Sequence, residues 1–567
     1  MKGYTPHNLS NFGTAYGVNI PGNGPEYEVI TPMNRLKLGS GKAAEALPSG
    51  TKLGLPSPSW EKLSITTSLD QNIQTIKDIF KDCSDIIFRT IEIAPDIKAF
   101  ITYVEGVVTS EELQSHMLEP IIEAYVRMLN TDPVERIEAS KLEPIENTRV
   151  SLSQVKCSSQ WVDVVEDIMN SSVAVFVDGL SKVYLFNIKG GIRRSVAEPE
   201  TESLIRGPRE GFTEMLRTNT AMVRFKIKTP NLKMYSMVIG TETKTDIVVS
   251  YIEGLADPKM VNDVKKRLKD IKIDGILESG YIEELIEDHP YSPFPQMQYT
   301  ERPDSVAAQL LEGRCAIFVD GTPFVLVVPV TFFQLMQAGE DYYERFFISN
   351  FIRWIRYFFL MVALFLPALY IAVTTYHQDM LPTKLLLSIA AAREAIPFPA
   401  LVEALMMEIS FEALREAGIR LPKSVGQAVS ILGALVIGQA AVQAGIVSAP
   451  MVIIVSLTGI ASFTIPHYSL AITIRLLRFP LMLLAGVLGL FGILLGITWV
   501  LVHVTQLTSF GVPYMSGVSP FYGTDHKDIF SRAPWWKMKE RPAWLSKHNQ
   551  VRAKPEINGT PKKDKVW

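Results

Sequence analysis

The sequence is poor in cysteine, and the few it has argue against two kinds of site. Cys83, Cys157 and Cys315 are the three cysteines in 567 residues, and they lie far apart along the chain. A scattered, odd-numbered set is neither a disulfide framework nor a zinc site with paired ligand spacing. The sequence therefore predicts reduced cysteines that pack as small side chains, and no metal site.

Motifs for enzyme chemistry are also missing. The chain has no phosphate loop with Walker spacing, no Gly-x-Ser-x-Gly elbow and no His-Glu-x-x-His pair. Its formal net charge of −3 argues against a nucleic-acid-binding protein. We therefore expect a protein that is not an enzyme, needs no cofactor and binds no nucleic acid.

The N-terminal segment lacks the apolar core of a signal peptide. Residues 1–60 are polar and rich in Gly and Pro, which predicts a disordered tail. Without an export signal, the region that follows is expected to stay in the cytoplasm.

Residues 61–345 have the mixed pattern of an α/β region. Apolar residues at helical spacing predict helices at 69–88 and 110–129. Val261–Ile271 is typical of a basic amphipathic helix.

Two strand–turn–strand patterns predict a duplication in this region. Their turns are Asp178-Gly179 and Asp320-Gly321, in matching apolar surroundings. We interpret them as two related α/β subdomains, 61–200 and 201–345; chance similarity of two hairpins is the alternative.

Uncharged stretches predict membrane helices within 346–506. Phe358–Tyr376 and Phe479–Val504 are each long enough to cross a hydrocarbon core of ~30 Å. Ser424–Ile474 has no charged residue and is long enough for two crossings, with a break near Ser448-Ala-Pro450.

The remaining charges set the expected topology. Segment 507–567 is basic and too polar to cross, so it and the arginines before the first span place both chain ends in the cytoplasm. Arg475 and Arg478 then fall on the outer side, against the preference of positive charges for the cytoplasmic side, unless further crossings lie within 384–420. We therefore expect an α-helical bundle of four to six membrane helices.

Acidic residues interrupt the apolar segment 384–420. Glu408, Glu412 and Glu416 are four residues apart, so they share one face of a helix. A buried carboxylate without a partner is very costly, so these side chains need water or a cationic partner. One interpretation is a vestibule that concentrates cations. The other is an interfacial helix with a solvated acidic end.

A second polar face predicts a pore. Gln439, Gln443, Ile446 and Val447 fall at i, i+4, i+7 and i+8 of the span Val425–Ser448. In a symmetric oligomer this face would form two amide rings and an apolar ring, and an apolar ring can close a pore by dewetting. The alternative is that the glutamines bond to neighbouring helices.

A series of short motifs resembles one known family over residues 65–545. In chain order they are Arg206-Gly-Pro-Arg-Glu-Gly-Phe-Thr-Glu214, Asn219, Gly240-Thr-Glu-Thr-Lys-Thr245, Thr300-Glu-Arg-Pro-Asp304, Val319-Asp-Gly-Thr-Pro-Phe324, Asp341-Tyr-Tyr-Glu344, Arg393-Glu-Ala-Ile-Pro-Phe-Pro399, Phe411-Glu-Ala-Leu-Arg-Glu-Ala-Gly418, Arg420-Leu-Pro422, Val436-Ile-Gly438, Ser462-Phe463, Ser509-Phe-Gly-Val-Pro-Tyr514 and Arg541-Pro542. The sequence is similar to the A subunit of the GerA family of spore germination receptors.

The resemblance implies a location and partners. Members lie in the inner membrane of dormant endospores. The A subunit works with a transporter-like B subunit, expected to bind the nutrient, and a lipoprotein C subunit. It is expected to oligomerise, with five copies as the expected number, into a channel for monovalent cations. We therefore expect a multi-pass protein in contact with membrane lipid, with a cytoplasmic N-terminal domain, that triggers germination.

Other interpretations stay open. The stage V sporulation protein AF shares these motifs and does not sense nutrients by the same route. A scaffold that anchors a germination complex without conducting is a second alternative. A secondary transporter is a third, disfavoured because no repeat joins the membrane spans.

Overall fold

The structure is a computed structural model that describes most of the chain after residue 58. The described residues are 59–94, 97–108, 113, 114, 119, 155–188, 198, 199, 201, 202, 204–422, 438–523, 525–545 and 549–552. They form two β-sheets, a bundle of helices and a C-terminal segment.

The first sheet has five antiparallel strands in the order β1-β2-β4-β5-β3. Its elements are α1 (Leu69–Ile79), β1 (Ile86–Ala94), β2 (Ile97–Val104), β3 (Val155–Ser158), α2 (Trp161–Met169), β4 (Ser172–Val177) and β5 (Val183–Asn187). The central strand β4 is apolar without alternation because both of its faces are covered. Phe176 packs with Trp161 of α2, whereas Val175 lies in the core on the opposite face.

The first helix is shorter than the sequence analysis predicted. The predicted helix 69–88 is wrong after Ile79, because Asp82 adopts a φ of 59° and the chain turns into β1. The predicted helix 110–129 lies almost wholly outside the described residues.

The second sheet repeats the strand order of the first, as β6-β7-β9-β10-β8. Its elements are α3 (Leu216–Lys226), β6 (Leu232–Ile239), β7 (Thr245–Ile252), α4 (Pro258–Asp270), α5 (Ser279–Ile286), β8 (Gln298–Thr300), α6 (Pro303–Leu310), β9 (Cys315–Val319), β10 (Val325–Val328), α7 (Phe332–Leu335) and α8 (Glu340–Tyr343). Both predicted hairpins, β4–β5 and β9–β10, are confirmed, as is the basic helix α4.

The aspartate of each hairpin turn makes the same hydrogen bond to the start of a helix. The carboxylate of Asp178 accepts from the backbone N–H of Leu69 at 3.3 Å, and that of Asp320 accepts from the N–H of Leu216 at 3.2 Å. Each aspartate therefore satisfies the first N–H of a helix, α1 or α3, that precedes it by about a hundred residues.

An asparagine one turn later completes the repeat. The amide of Asn72 exchanges hydrogen bonds with the backbone of Thr66, and that of Asn219 does the same with Thr213. The two sheets therefore share a strand order and the same hydrogen bonds at corresponding positions. That they are related subdomains stays a prediction.

The two sheets are joined by backbone and by a buried ion pair. Ser84 N–H donates to the carbonyl of Met234 at 2.9 Å. Arg224 is 1% exposed and donates to both oxygens of Asp85 at 2.7 and 2.9 Å. The fixed fork of the guanidinium matches the carboxylate, so this pair sets the orientation of α3 against the first sheet.

The helical region contains six helices among the described residues, together with a helical run at 438–443. They are α9 (Phe346–Thr375), α10 (Thr383–Arg393), α11 (Ala400–Arg420), α12 (Ala449–Ser462), α13 (Tyr468–Leu488) and α14 (Leu490–Gln506). Of these, α9 and α13 are long and apolar enough to cross a membrane, and α12 and α14 are apolar but shorter. The span predicted at 358–376 lies in α9, and the predicted break at Ser448 is confirmed, because Ser448 caps α12.

The predicted span 479–504 is wrong as a single helix. Gly489 has a φ of 61° and ends α13, so the uncharged stretch folds back as α14. Pro480 lies inside α13 and not at a helix start. Gly492 and Gly496 of α14 face α13 so closely that an added Cβ would overlap Leu484 and Leu481. This contact makes α13 and α14 a tight helical hairpin.

The helices have a defined direction relative to the second sheet. Arg478 of α13 donates to the carbonyl of Ala363 at 3.0 Å, and the Tyr376 hydroxyl donates to that of Gly486 at 2.9 Å. The helices α9 and α13 therefore run side by side away from the sheet. The helix α14 returns, since His503 bonds to Ser292 at 2.8 Å.

The segment after α14 packs on the second sheet and is not a loose tail where it is described. A short ladder pairs β11 (Thr508–Ser509) with β12 (Val512–Pro513). Tyr514 is fully buried, Arg541 donates to the carbonyl of Leu311, and Arg552 pairs with Glu312 at 2.8 Å.

We predict that Arg224→Ala lowers the free energy of unfolding by about 3–5 kcal/mol, because it leaves the Asp85 charge buried and unpaired. The measurement is unfolding of the detergent-solubilised chain. Lys226 lies on the same helix as Arg224, and Lys226→Ala, which breaks an exposed pair with Glu210, should cost less than about 1 kcal/mol. Equal losses in the two variants would refute a special role for the buried pair.

We predict that Gly492→Ala separates α13 from α14 and destabilises the chain by roughly 1–3 kcal/mol, as overpacking does. Gly459→Ala in α12 is the matched control, because a Cβ there would meet no atom within 4 Å. Thermal unfolding midpoints of the two variants give the comparison. A midpoint for Gly492→Ala at or above that of Gly459→Ala contradicts the close contact.

Candidate functional site

The predicted vestibule acid Glu408 is buried against an arginine. It lies on α11, and its carboxylate accepts from Arg478 of α13 at 2.6 Å. Both side chains are 2% exposed. A pair so deep in an apolar bundle holds the two helices in register, because either charge alone would be very costly there.

The next two predicted acids are also paired. Glu412 contacts Arg475 of α13 and Arg415 of its own helix, each at 3.1 Å. Glu416 pairs with Arg420 at 2.5 Å, and both of these side chains are exposed.

These ion pairs bear on the hypothesis of a vestibule that concentrates cations. Within the single chain, each of the three predicted carboxylates is neutralised by at least one guanidinium, so none is left to attract a cation alone. The vestibule stays a prediction. The solvated acidic end of the alternative interpretation fits Glu416 but not the buried Glu408.

A fourth acid on α11 was not among the predicted vestibule residues. Glu403 is fully buried, and one of its oxygens accepts from the backbone N–H of Ser448 at 2.5 Å and from its hydroxyl. Its other oxygen lies 3.6 Å from Arg393. Glu403 therefore holds the N-terminal end of α12, where the helix dipole favours a negative charge.

The predicted gate residues do not share one helix face. The helix that carries Gln439 and Gln443 ends at Gln443, because Gly445 turns the chain with a φ of 66°. Both glutamines are exposed and Ile446 is 44% exposed, but Val447 is 2% exposed and packs in the core of the bundle. The single face is thus wrong. The first part of this span, residues 423–437, lies outside the described residues.

The arginines of α13 carried a signal that the sequence analysis misread. Arg475 and Arg478 stand in an apolar stretch, and they were treated as markers of membrane side. An arginine cannot lose its charge in a protein, so two of them in one apolar helix require carboxylate partners nearby. The acids of α11 are those partners.

A second charged cluster lies where α9 leaves the second sheet. Asp341 of α8 is 1% exposed and accepts from Arg353 at 3.0 Å and from Arg356 at 2.7 Å. Both arginines belong to the first three turns of α9. The aspartate thus fastens the base of the longest helix to the sheet.

The C-terminal segment joins the same cluster. Arg353 donates to Asp528 at 2.9 Å, and the Tyr342 hydroxyl donates to the other oxygen of that carboxylate at 2.7 Å. Burial raises the pKa of Asp528 to about 6, although the nearby Arg353 charge and these two hydrogen bonds oppose the rise. A cavity of about 80 Å³, lined by Arg314, Asp528 and Trp544 among others, lies beneath this segment.

Three of the family-like motifs meet beside this cluster. Arg302 donates to the carbonyl of Pro208 at 2.6 Å and to Asp304 at 3.1 Å. Asp304 in turn accepts from the Tyr343 hydroxyl at 2.5 Å. Gly207 packs against the Tyr343 ring, where a side chain would be too close. One continuous contact therefore joins the motif Arg206–Glu214, the motif Thr300–Asp304 and α8.

The site has no arrangement that suggests a metal. No three His, Cys, Asp or Glu side chains of the described residues converge as metal ligands would. The glutamate–arginine pairs fix the positions of α11 and α13, and the charged cluster around Arg353 fixes the position of α9. A rearrangement of either set of contacts would release these helices.

Comparison with protein families gives a match over most of the chain. Residues 74–544 match the family described as Bacillus/Clostridium GerA spore germination protein. The chain belongs to this family. The resemblance in the sequence analysis is thereby confirmed.

GerA-family relatives agree over similar lengths. The chain is 60% identical over 485 residues to the uncharacterized membrane protein YfkQ of Bacillus subtilis, covering 86% of this chain and 93% of that one. It is 48% identical over 490 residues to spore germination protein KA of Bacillus subtilis, covering 86% and 88%.

A solved GerA-family domain was also found. It is the N-terminal domain of the A subunit of the Bacillus megaterium spore germinant receptor GerK3, 38% identical, with a TM-score of 0.38. The match covers 48% of this chain and 98% of that one.

We predict that Asp528 makes stability depend on pH. Its pKa is about 6 in the folded chain against an ordinary 3.8. Between these values the folded chain holds a proton that the unfolded chain has released, so this group adds stability as the pH falls from about 7 to about 4. Asp528→Asn should remove that gain.

The measurement is the unfolding midpoint of wild type and Asp528→Asn across this pH range. Asp270→Asn, at an exposed position of α4, is the control and should follow wild type. A constant difference between wild type and Asp528→Asn at every pH would rule out the proposed titration.

Proposed function

We propose that this chain is the A subunit of a nutrient germinant receptor of the spore inner membrane. Copies of it form a channel for monovalent cations, and opening of the channel triggers germination. The observation that carries the proposal is Arg353, which binds Asp341 of the sheet region and Asp528 of the C-terminal segment from within a candidate membrane helix. A change in the sheet region is transmitted to α9 through this contact.

The proposal includes an orientation. The sheets and the C-terminal segment contact each other, so they lie on one side of the membrane, and we assign them to the cytoplasm. The chain then crosses an even number of times. Four to six crossings stay the expectation, since α12 and α14 are short and 423–437 are not described.

The pore is assigned to surfaces between copies of the chain. Gln439, Gln443 and Ile446 are exposed near the start of α12, so they are available to face a symmetry axis. Rings of amides there would bind partly dehydrated cations, and a ring of Ile446 would close the pore by dewetting. Val447 no longer belongs to the gate. Five copies remain the expected number.

Partner subunits supply the signal. A transporter-like B subunit binds the nutrient, and a lipoprotein C subunit completes the receptor. The nutrient opens the channel only to the extent that its complex binds the open state more tightly than the closed one.

One observation favours a second function, that of a scaffold without conduction. Every predicted vestibule acid is neutralised by arginine, so the described helices offer no charged cation path within one chain. An accessory channel of the stage V sporulation protein AF type, which does not sense nutrients by the same route, stays a separate alternative.

The test is cation flux from proteoliposomes that hold the purified chain. Ile446→Ser should raise resting flux several-fold, because a polar ring no longer excludes water. Val447→Ser should leave resting flux unchanged and lower the unfolding midpoint, because it buries a hydroxyl in the core.

Different outcomes separate the two functions. Flux that rises in Ile446→Ser but not in Val447→Ser supports the channel and its revised gate. No flux from an intact oligomer reconstituted together with its B and C subunits and nutrient would overturn the channel and leave the scaffold.

A further inference from the structure

The cavity beneath the C-terminal segment lies where three parts of the chain meet. The residues that line it come from the stretch just before β9, from α7 and its flanks, and from the C-terminal segment itself. Its volume is about 80 Å³. One water-sized group needs about 10–15 Å³ of such space, so there is room for roughly five to eight of them. The cavity therefore fits a ligand of a few heavy atoms.

Arg314, one of the lining residues, is a buried cation with an incomplete partner. Its side chain is 4% exposed, and its guanidinium lies 3.7 Å from the carboxylate of Glu312. That carboxylate is bound more closely by Arg552, at 2.8 Å. By contrast, the buried Arg353 and Arg478 each have a carboxylate oxygen within 3.0 Å. A buried charge without a close partner is costly, so Arg314 has charge left to be neutralised.

The other contacts of Arg314 are with neutral groups. It donates to the carbonyl of Pro329, its Nε has no hydrogen-bond partner, and its guanidinium lies 5.2 Å from the centre of the Trp544 ring. Burial lowers the pKa of Arg314, and the charge of Glu312 opposes that fall. A guanidinium nevertheless keeps its proton inside a protein. Its positive charge therefore belongs permanently to the cavity wall.

A second guanidinium in the wall binds neutral groups among the described residues. Arg541 donates to backbone carbonyls and to the amide oxygen of Asn549. Burial and the charge of Arg552 lower the pKa of Arg541, while Glu312 opposes the fall. Glu312 is thus the acid that three arginines share.

The other acids of the wall are already engaged. The carboxylate of Asp528 is bonded to the base of α9. Glu540 pairs with Lys527 at 3.3 Å, and Asp525 accepts from a backbone N–H at 3.2 Å. These acids provide no close partner for the two arginines, so the wall has positive charge to spare.

We propose that this cavity binds one small oxyanion, a free phosphate or carboxylate, between Arg314 and Arg541. The planar fork of a guanidinium matches the paired oxygens of such an anion. Arg314 belongs to the second sheet region and Arg541 to the C-terminal segment. The bound anion therefore joins these two parts of the chain and neutralises charge that the protein itself leaves without a close partner.

The anion also affects the base of α9. The segment that carries Arg541 carries Asp528, whose carboxylate and backbone carbonyl both accept from Arg353 of α9. Within the same wall, Gln334 of α7 donates to Gln298 of β8 at 2.5 Å. An occupied cavity thus stabilises the C-terminal segment in the position from which it binds α9.

Binding can be measured on the purified full-length chain in a maltoside detergent, which has no phosphate group. Chloride in the buffer is replaced by inorganic phosphate or by acetate at constant ionic strength. Calorimetry should show one anion bound per chain, and the unfolding midpoint should rise and then level off as the site fills. Chloride has no paired oxygens and should not replace them. The oxyanion that binds, phosphate or acetate, identifies the class of ligand.

Two variants and a matched control locate the site. Arg314→Gln and Arg541→Gln should each weaken binding roughly tenfold or more, the loss expected for a hydrogen bond to a charged group. Arg209→Gln makes the same change of charge at an exposed position and should bind as wild type does. If Arg314→Gln does not fold, Arg541→Gln tests the same cavity from the C-terminal segment.

Amide hydrogen exchange gives a second measurement. The anion should slow exchange in residues 525–545 of the wild type and of Arg209→Gln, but not of Arg541→Gln. A purely structural role for Arg541 would change exchange equally with and without the anion.

A general salt effect is the result that would overturn the site. Phosphate stabilises folded proteins by exclusion from their surface, and that effect neither saturates nor depends on one arginine. An unsaturated rise that is equal in wild type, Arg541→Gln and Arg209→Gln, or no heat of binding for either oxyanion in the wild type, refutes the proposal. None of these measurements involves ion flux, so the result is independent of the proposed channel.

Discussion

A guanidinium keeps its charge inside a protein, and the arrangement of this chain follows from where its buried arginines find carboxylates. Arg478 fixes α13 against α11 through Glu408, and Arg353 fixes α9 against the sheet through Asp341. Arg224 joins the two sheets through Asp85. At each of these three places both charged partners are buried, so the ion pair decides which elements are neighbours, while hydrophobic contact supplies most of the stability.

Taken together, these pairs make a connected path from the first sheet to the helices. The two sheets are joined by the bond of Arg224 to Asp85. The second sheet region binds the start of α9, and Asp528 of the C-terminal segment binds Arg353 of the same helix. The helix α11 meets its neighbours through buried Ala404 and Met407, through the ion pairs of Glu408 and Glu412, and through the bond of Glu403 to Ser448. The buried ion pairs thus link the first sheet, the second sheet and the base of α9 in sequence.

The hairpins of the two sheets could be predicted because their signals are local. The turns at Asp178 and Asp320 lie between short apolar runs, and both hairpins form where the sequence placed them. The helical region was harder, since hydropathy measures how much of a segment is apolar and not where it turns. Gly489 folds one long apolar stretch into two helices, and Gly445 separates Ile446 from the glutamines before it. The partners of Arg475 and Arg478 lie more than sixty residues away, so the apolar pattern around each arginine could not reveal them.

The shortness of α14 has a consequence for the bilayer around it. Its 17 residues span about 25 Å, less than the ~30 Å of an average hydrocarbon core. The tight hairpin at Gly489 separates α14 from α13, so α14 gains no length from its neighbour. In the membrane orientation proposed above, lipid beside α14 would have to thin to cover its ends, and this edge of the bundle would carry a hydrophobic mismatch. A membrane whose thickness changes, through its lipid composition or its hydration, would pull on this hairpin and, through it, on the arginines of α13.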